Sequence, residues 1–178
     1  MAQSRCLYGT DIAKYWIHNA MININGEKMS KSLNNFRLAK DLIEEYSGNV
    51  IRMVLLSAPY RSPVNFTADL LNSAKMELTK ILNAAKSANV KLQLNDYKDS
   101  LFDEEIIENF LSELSNDLNV ANGFTILYDL VKKINTSTRS NDLVLTSKYF
   151  NTLLEINKIL SFDLNLKELT SEDKDIYA

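Results

Sequence analysis

The sequence predicts a mainly α protein with one small β-hairpin near its N-terminus and an antiparallel helical bundle behind it. Three observations carry that prediction. Apolar residues recur at helical spacing through most of the chain after Leu38. Only two prolines and four glycines interrupt 178 residues, of which 46% are hydrophobic. The dipeptide Asn25-Gly26 lies between two short stretches of strand character, the strongest short-range hairpin signal.

Taken in order, Ala2–Tyr8 reads as the end of a helix closed by Gly9. Tyr15-Trp16-Ile17-His18 reads as a short strand, rich in aromatic and β-branched residues. Met21-Ile22-Asn23-Ile24 alternates apolar and polar up to the Asn-Gly turn, and Glu27-Lys28-Met29 returns as the second strand. Leu38, Leu42 and Ile43 fit one short helix broken by Gly48. Val50, Ile51, Val54 and Leu55 fit another that ends at Pro59, and residues 59–65 read as a loop. The most regular stripe is Leu70, Leu71, Ala74, Leu78, Ile81, Leu82 and Ala85, with Thr67 as its N-cap.

Residues 90–101 are polar and irregular, and are expected to be a linker. Asp103 opens a helix with Ile106, Ile107, Phe110, Leu111 and Leu114 on one face, and Val120, Phe124, Leu127, Val131 and Ile134 stripe the next. A Ser/Thr/Asn cluster over 135–141 reads as a loop before a last helix bearing Tyr149, Phe150, Leu153, Leu154 and Leu160. The charged tail, 167–178, is expected to fray. Striped helices of this kind bury their apolar faces by packing against one another.

Composition excludes several classes. No run approaches the ~20 apolar residues needed to cross a bilayer. A single cysteine, Cys6, excludes an intrachain disulfide and a Cys-rich zinc site built from this chain, and fits a reducing, cytoplasmic setting. Lys/Arg against Asp/Glu count 2 and 2 over 1–27, 6 and 3 over 28–61, and 12 and 18 over 62–178, giving balances of 0, +3 and −6. The basic middle segment holds Lys28-Met29-Ser30-Lys31-Ser32. Two ammonium groups and two hydroxyls in one loop after a tight turn suit a nucleotide polyphosphate. At average residue frequencies the string arises by chance in about one chain in ten thousand of this length, so it is a specific signal. The acidic remainder argues against strong nonspecific nucleic-acid binding.

Lys28–Ser32 resembles the signature loop of class I aminoacyl-tRNA synthetases. Its surroundings are similar to cysteinyl-tRNA synthetases in particular: Tyr15-Trp16-Ile17-His18-Asn19, Gly26-Glu27-Lys28 through Leu33-Asn34-Asn35-Phe36, the run from Arg52 to Phe66, and Asn116-Asp117-Leu118-Asn119. The likeness is close over 2–66 and looser over 109–160. It implies the edge of a Rossmann-like catalytic domain over 1–37, a stem-contact helical region over 38–90, and a partial anticodon-arm bundle over 91–178. Met1-Ala2-Gln3-Ser4 stands where the family has Ile-Ala-Gln-Ser. The chain is therefore expected to be cut from a larger enzyme, with the nucleotide-binding HIGH motif, the zinc ligands and a small anticodon-reading segment outside it.

The resemblance implies that cysteine is activated by ATP with Mg²⁺ and passed to tRNA(Cys), in a cytoplasmic, monomeric enzyme without membrane attachment. Zinc belongs to the full-length family member, and no metal ligand is assigned here. Lys31 is the implied principal phosphate contact and Lys28 its assistant, the two catalytic candidates. Met29, Ser30, Ser32 and His18 complete the implied ATP-binding set. Arg52, Tyr60, Arg61 and Asn65 are the tRNA-contact candidates, because arginine and tyrosine suit phosphate and ribose. The family usually has glycine where Asn34 stands, a residue that also tolerates positive φ.

Plainer readings stand beside these. His18, the only histidine, could be structural; Trp16 reads as core; and Arg52, on an apolar helix, could serve as a buried ion-pair partner. Lys132, Lys133 and Arg139 could face an anticodon stem or simply solvate a helix end. Two alternative functions share the loop: a cysteine ligase of thiol biosynthesis, and a free-standing, non-catalytic RNA-binding helical module. As a fragment, the chain is expected to be inactive alone.

Overall fold

A computed structural model describes residues 2–10, 12–30, 38–170 and 174. Helix α1 (Ala2–Tyr8) ends at Gly9, whose φ of 67° supplies the left-handed residue such a terminus favours. Strands β1 (Ile22–Ile24) and β2 (Glu27–Lys28) form the hairpin, paired Asn23 to Lys28 and Ile24 to Glu27. Asn25 and Gly26 both take positive φ, 49° and 86°, as a two-residue turn of the right twist requires.

Helix α2 (Ala39–Tyr46) and helix α3 (Gly48–Leu56) are separated by Ser47 at φ 78°, so the break falls one residue before the glycine. Strand β3 (Val64–Phe66) then lies parallel to β1, in register Ile22 to Val64 and Ile24 to Phe66. The sheet order is β2-β1-β3. Helix α4 (Ala68–Leu94) starts at once, its cap formed by Leu70 N–H donating to Thr67 Oγ1 at 3.2 Å.

Helices α5 (Glu104–Ser115), α6 (Val120–Arg139) and α7 (Leu143–Leu160) complete the bundle. Helix α6 packs against α4, α5 and α7, and α4 also packs against α3 and α7. Phe110, Ile81, Leu127, Leu130, Ile134, Leu153 and Ile156 are fully buried there. The start of α5 is pinned to α7: Asp103 N–H donates to Thr152 Oγ1 at 2.8 Å, and Lys148 Nζ reaches the Asp103 carboxylate at 2.8 Å. The Lys148 hydrogen bond holds the Asp103 carboxyl below the usual carboxylate range, against the opposing effect of desolvation.

Five local expectations meet a different structure. Residues 15–18 form no strand and are exposed, because β1 already has β2 on one side and β3 on the other. Strand β3 takes up the last two residues of the expected loop, Val64 and Asn65, together with Phe66, too short a run after a proline to read as a strand. Residues 90–94 continue α4, so the connection to α5 begins at Asn95. Helix α6 runs through the hydroxyl-rich cluster to Arg139, because Thr136 and Ser137 donate back to the carbonyls of Lys132 and Ile134. The tail is tied down at its start: Asn89 and Gln93 both donate to the Lys167 carbonyl, and Leu169 N–H donates to Gln93 Oε1. Phe162 and Leu164, just before it, are buried.

Candidate functional site

The loop motif is delivered by the hairpin. Lys28 is exposed at the end of β2, and Met29 and Ser30 are half-buried beyond it. Met29 N–H donates to the Ile22 carbonyl at 3.3 Å, which continues the pairing past the last ladder residue. Lys31 and Ser32 lie outside the described residues.

What holds the hairpin is the segment from Tyr60 to Phe66. Ala20 N–H donates to the Tyr60 carbonyl at 2.8 Å, Val64 N–H to the Met21 carbonyl at 3.3 Å, and Asn25 N–H to the Phe66 carbonyl at 3.3 Å. Asn65 places its Oδ1 2.8 Å from the Gly26 N–H, satisfying a turn donor that the two-stranded ladder leaves open. The side chain of Asn65, a tRNA candidate, is thus committed to the turn below the Lys28 loop.

Tyr60 and Arg61 converge on one carboxylate. Tyr60 O–H donates to Asp117 Oδ1 at 2.7 Å, and Arg61 donates from Nε to Oδ2 at 3.0 Å and from Nη2 to Oδ1 at 3.1 Å. The guanidinium also lies 4.8 Å from the Tyr60 ring centre. Hydrogen bonds from Arg61 first, then Tyr60, hold the Asp117 carboxyl below its ordinary range, and the same bonds raise the Tyr60 phenol and the Arg61 guanidinium. The Arg61 and Asp117 side chains are both solvent-exposed.

In the sequence Asp117 stands out only as part of the string Asn116-Asp117-Leu118-Asn119. No sequence signal paired it with residues more than fifty positions away. Arg52 is exposed on α3, not buried, and lines a cleft of about 610 Å³ with Asn49, Ser161 and Asp163. Asn49 closes one wall, donating to the Asp163 carbonyl at 2.8 Å and accepting from its N–H at 3.0 Å. His18 is exposed, with no hydrogen-bond partner among the described residues, and Trp16 is 44% exposed where core was expected. Among the described residues no three of His, Cys, Asp and Glu gather as a metal site, so zinc finds no ligand set there.

A lysine- and serine-bearing loop on a hairpin, joined through a parallel strand to a helical bundle, matches two family profiles. Residues 1–76 match the catalytic domain of class I (C) tRNA synthetases, and residues 109–165 match the DALR domain. These define the class as a class I aminoacyl-tRNA synthetase.

Curated relatives narrow it. The cysteine–tRNA ligase of Brevibacillus brevis is 36% identical over 174 residues, covering 92% of this chain and 37% of the relative. That of Shouchella clausii is 36% identical over 188 residues, covering 100% and 40%. That of Halalkalibacterium halodurans is 37% identical over 177 residues, covering 94% and 38%. The chain belongs to the cysteinyl-tRNA synthetase family and spans about two fifths of the length of these relatives.

Proposed function

We propose that this chain is the part of a cysteine–tRNA ligase that brings the phosphate-handling loop and the tRNA-facing helices to the reaction. The observation that carries the reading is the delivery of Lys28-Met29-Ser30 from a hairpin whose turn and far edge are both fixed by the Tyr60–Phe66 segment. In the reaction, a cysteine carboxylate oxygen bonds to the α-phosphorus of ATP while the bond from that phosphorus to the bridging oxygen breaks and pyrophosphate leaves. The step needs no enzyme nucleophile. It needs positioning and charge stabilisation on the phosphates.

Lys28 and Lys31 are the catalytic pair in this reading, with Ser30 and Ser32 as hydrogen-bond donors, Met29 between them and His18 toward the nucleotide. A lysine that meets the phosphates mainly in the transition state raises kcat rather than tightening ground-state binding. Mg²⁺ enters with ATP and neutralises phosphate charge there. Arg52, Tyr60 and Arg61 lie on or beside the stem-contact helices and face the inner side of tRNA(Cys), and Asn65 supports them from the turn. The ligase works as a cytoplasmic monomer. Among the described residues no helix is long and apolar enough to cross a membrane.

Domain limits follow the same reading: 1–37 the catalytic edge, 38–90 the stem-contact region, 91–178 the anticodon-arm bundle. Helix α4 passes through the second limit without a break, so those two regions share a rigid element. The DALR match over 109–165 weighs against a thiol-biosynthesis ligase, which lacks a full anticodon-arm bundle.

Cysteine-dependent ATP–pyrophosphate exchange tests the reading. In the assembled ligase, Lys31→Ala is expected to lower exchange by at least about a hundredfold, with tRNA affinity nearly unchanged. An equally active variant removes Lys31 from the mechanism. The purified chain alone is expected to bind tRNA(Cys) weakly without exchange, and exchange by the chain alone overturns the need for residues beyond it.

A further inference from the structure

Strand β3 is anchored to the helical bundle at both of its ends. Downstream, Phe66 is buried and Thr67 caps α4 directly, so the strand runs into the bundle's longest helix. Upstream, Tyr60 and Arg61 are tied to Asp117 on the loop between α5 and α6. Strand β1 hangs on β3 between these two points, and β2 hangs on β1. One anchor leaves a sheet free to pivot; two fix its orientation.

The loop that offers Asp117 has a fixed and unusual backbone. Asp117 and Leu118 take successive left-handed conformations, φ 54° and 55°, which strain a leucine in particular. Surrounding bonds over-determine that shape. Glu113 Oε2 accepts from Asn119 Nδ2 at 3.1 Å and from Asn122 Nδ2 at 2.9 Å, while Asn119 Oδ1 caps α6 by accepting from Asn122 N–H. Leu118 N–H donates to the Leu114 carbonyl, and Leu118 O accepts from Val120 N–H at 2.7 Å. The loop thereby aims a carboxylate at the segment that carries the hairpin. An isolated exposed ion pair contributes little, but here the two-pronged Arg61 guanidinium and the Tyr60 hydroxyl together meet both carboxylate oxygens.

We propose that Asp117 is a positioning residue for the Lys28 loop: by clamping Tyr60 and Arg61 it sets the orientation of the β2-β1-β3 sheet on the bundle, and so the place from which Lys28 reaches the phosphates. The link to phosphates rests on the function proposed above. The clamp itself does not, and hydrogen exchange on the whole chain tests it without nucleotide or tRNA.

In Asp117→Ala, exchange at the amides of Ala20, Asn25, Gly26, Met29 and Val64 is expected to accelerate by about tenfold or more, while amides in the middle of α4 and α6 keep their wild-type protection. Tyr60→Phe, losing one bond of three, should show a smaller acceleration at the same amides. The exchanged pair, Arg61→Asp with Asp117→Arg, should restore slow exchange. Unchanged hairpin amides in Asp117→Ala overturn the proposal. So does a loss of protection spread evenly through the bundle, which would make Asp117 a general stabilising residue. Failure of the Lys31→Ala exchange assay, by contrast, would remove the phosphate role and leave the clamp standing.

Discussion

The first thirty residues and the helices from Ala68 onward contain similar kinds of side chain and treat them in opposite ways. In the bundle, Leu127 and Ile134 are 0% exposed. In the N-terminal stretch Tyr15 is 88% exposed and Leu7 73%, with Ile12, Ile17 and Met21 also turned outward. The difference is partners. Each bundle stripe repeats at 3.6 residues and meets another stripe, whereas residues 12–21 have no helical period, are held at Ala20 and Met21 by backbone bonds to Tyr60 and Val64, and leave their large apolar side chains exposed. Apolar composition fills a core only when periodicity gathers it on one face and topology brings a second face to it.

The contrast breaks most easily in the core. Leu127→Ala should destabilise the chain by about 3 kcal/mol in urea denaturation, from lost transfer energy and the cavity left behind. A loss below about 1 kcal/mol would mean the bundle is packed far more loosely than its burial shows. Gly123→Ala sharpens the point. A Cβ there meets Phe110 Cε2 at 3.1 Å, so the Phe110 ring, only 1% exposed, must shift by a few tenths of an ångström within the packed core. Overpacking should outweigh the gain in helix propensity and cost about 1 kcal/mol net; a more stable variant refutes this.

Thr67→Ala should cost a similar ~1 kcal/mol, because α4 loses its N-cap where β3 enters the bundle. Thermal melting reads it, and an unchanged midpoint would show the cap to be idle. Asp103 gives a pH signature. Its folded pKa is depressed, so its contribution is present above the unfolded value near 3.9 and is lost as pH falls through the folded value. The stability gap between wild type and Asp103→Asn should therefore shrink as melts are taken from pH 6 down to pH 2. A constant gap would show that ionisation of the Asp103 carboxyl contributes no stability. The smallest effect lies in the exposed stretch: Tyr15→Ser should change stability by less than about 0.5 kcal/mol. A large loss there would erase the contrast between the two regions.

Much of the helical order was legible because it is local. The Thr67 and Asp103 caps, the Asn25-Gly26 turn and the stripes of α4 to α7 each rest on residues within a few positions of one another. The hydroxyl-rich end of α6 misled, since Ser and Thr look like loop residues until their hydroxyls are seen returning to the helix's own carbonyls. Of the candidate site, the Lys28 loop could be read from a five-residue string. The commitments of Asn65 to the turn and of Arg61 and Tyr60 to Asp117 could not.

The sequence alone settled the helix-rich class, the hairpin, the caps at Thr67 and Asp103 and the family, because periodicity, turn chemistry and motif are properties of neighbouring residues. Only the tertiary structure decided that β3 pairs with β1 and that Asp117 faces Arg61. It also decided that the stretch around Trp16 stays open. Those outcomes depend on which distant surfaces meet, and a one-dimensional pattern carries no record of that.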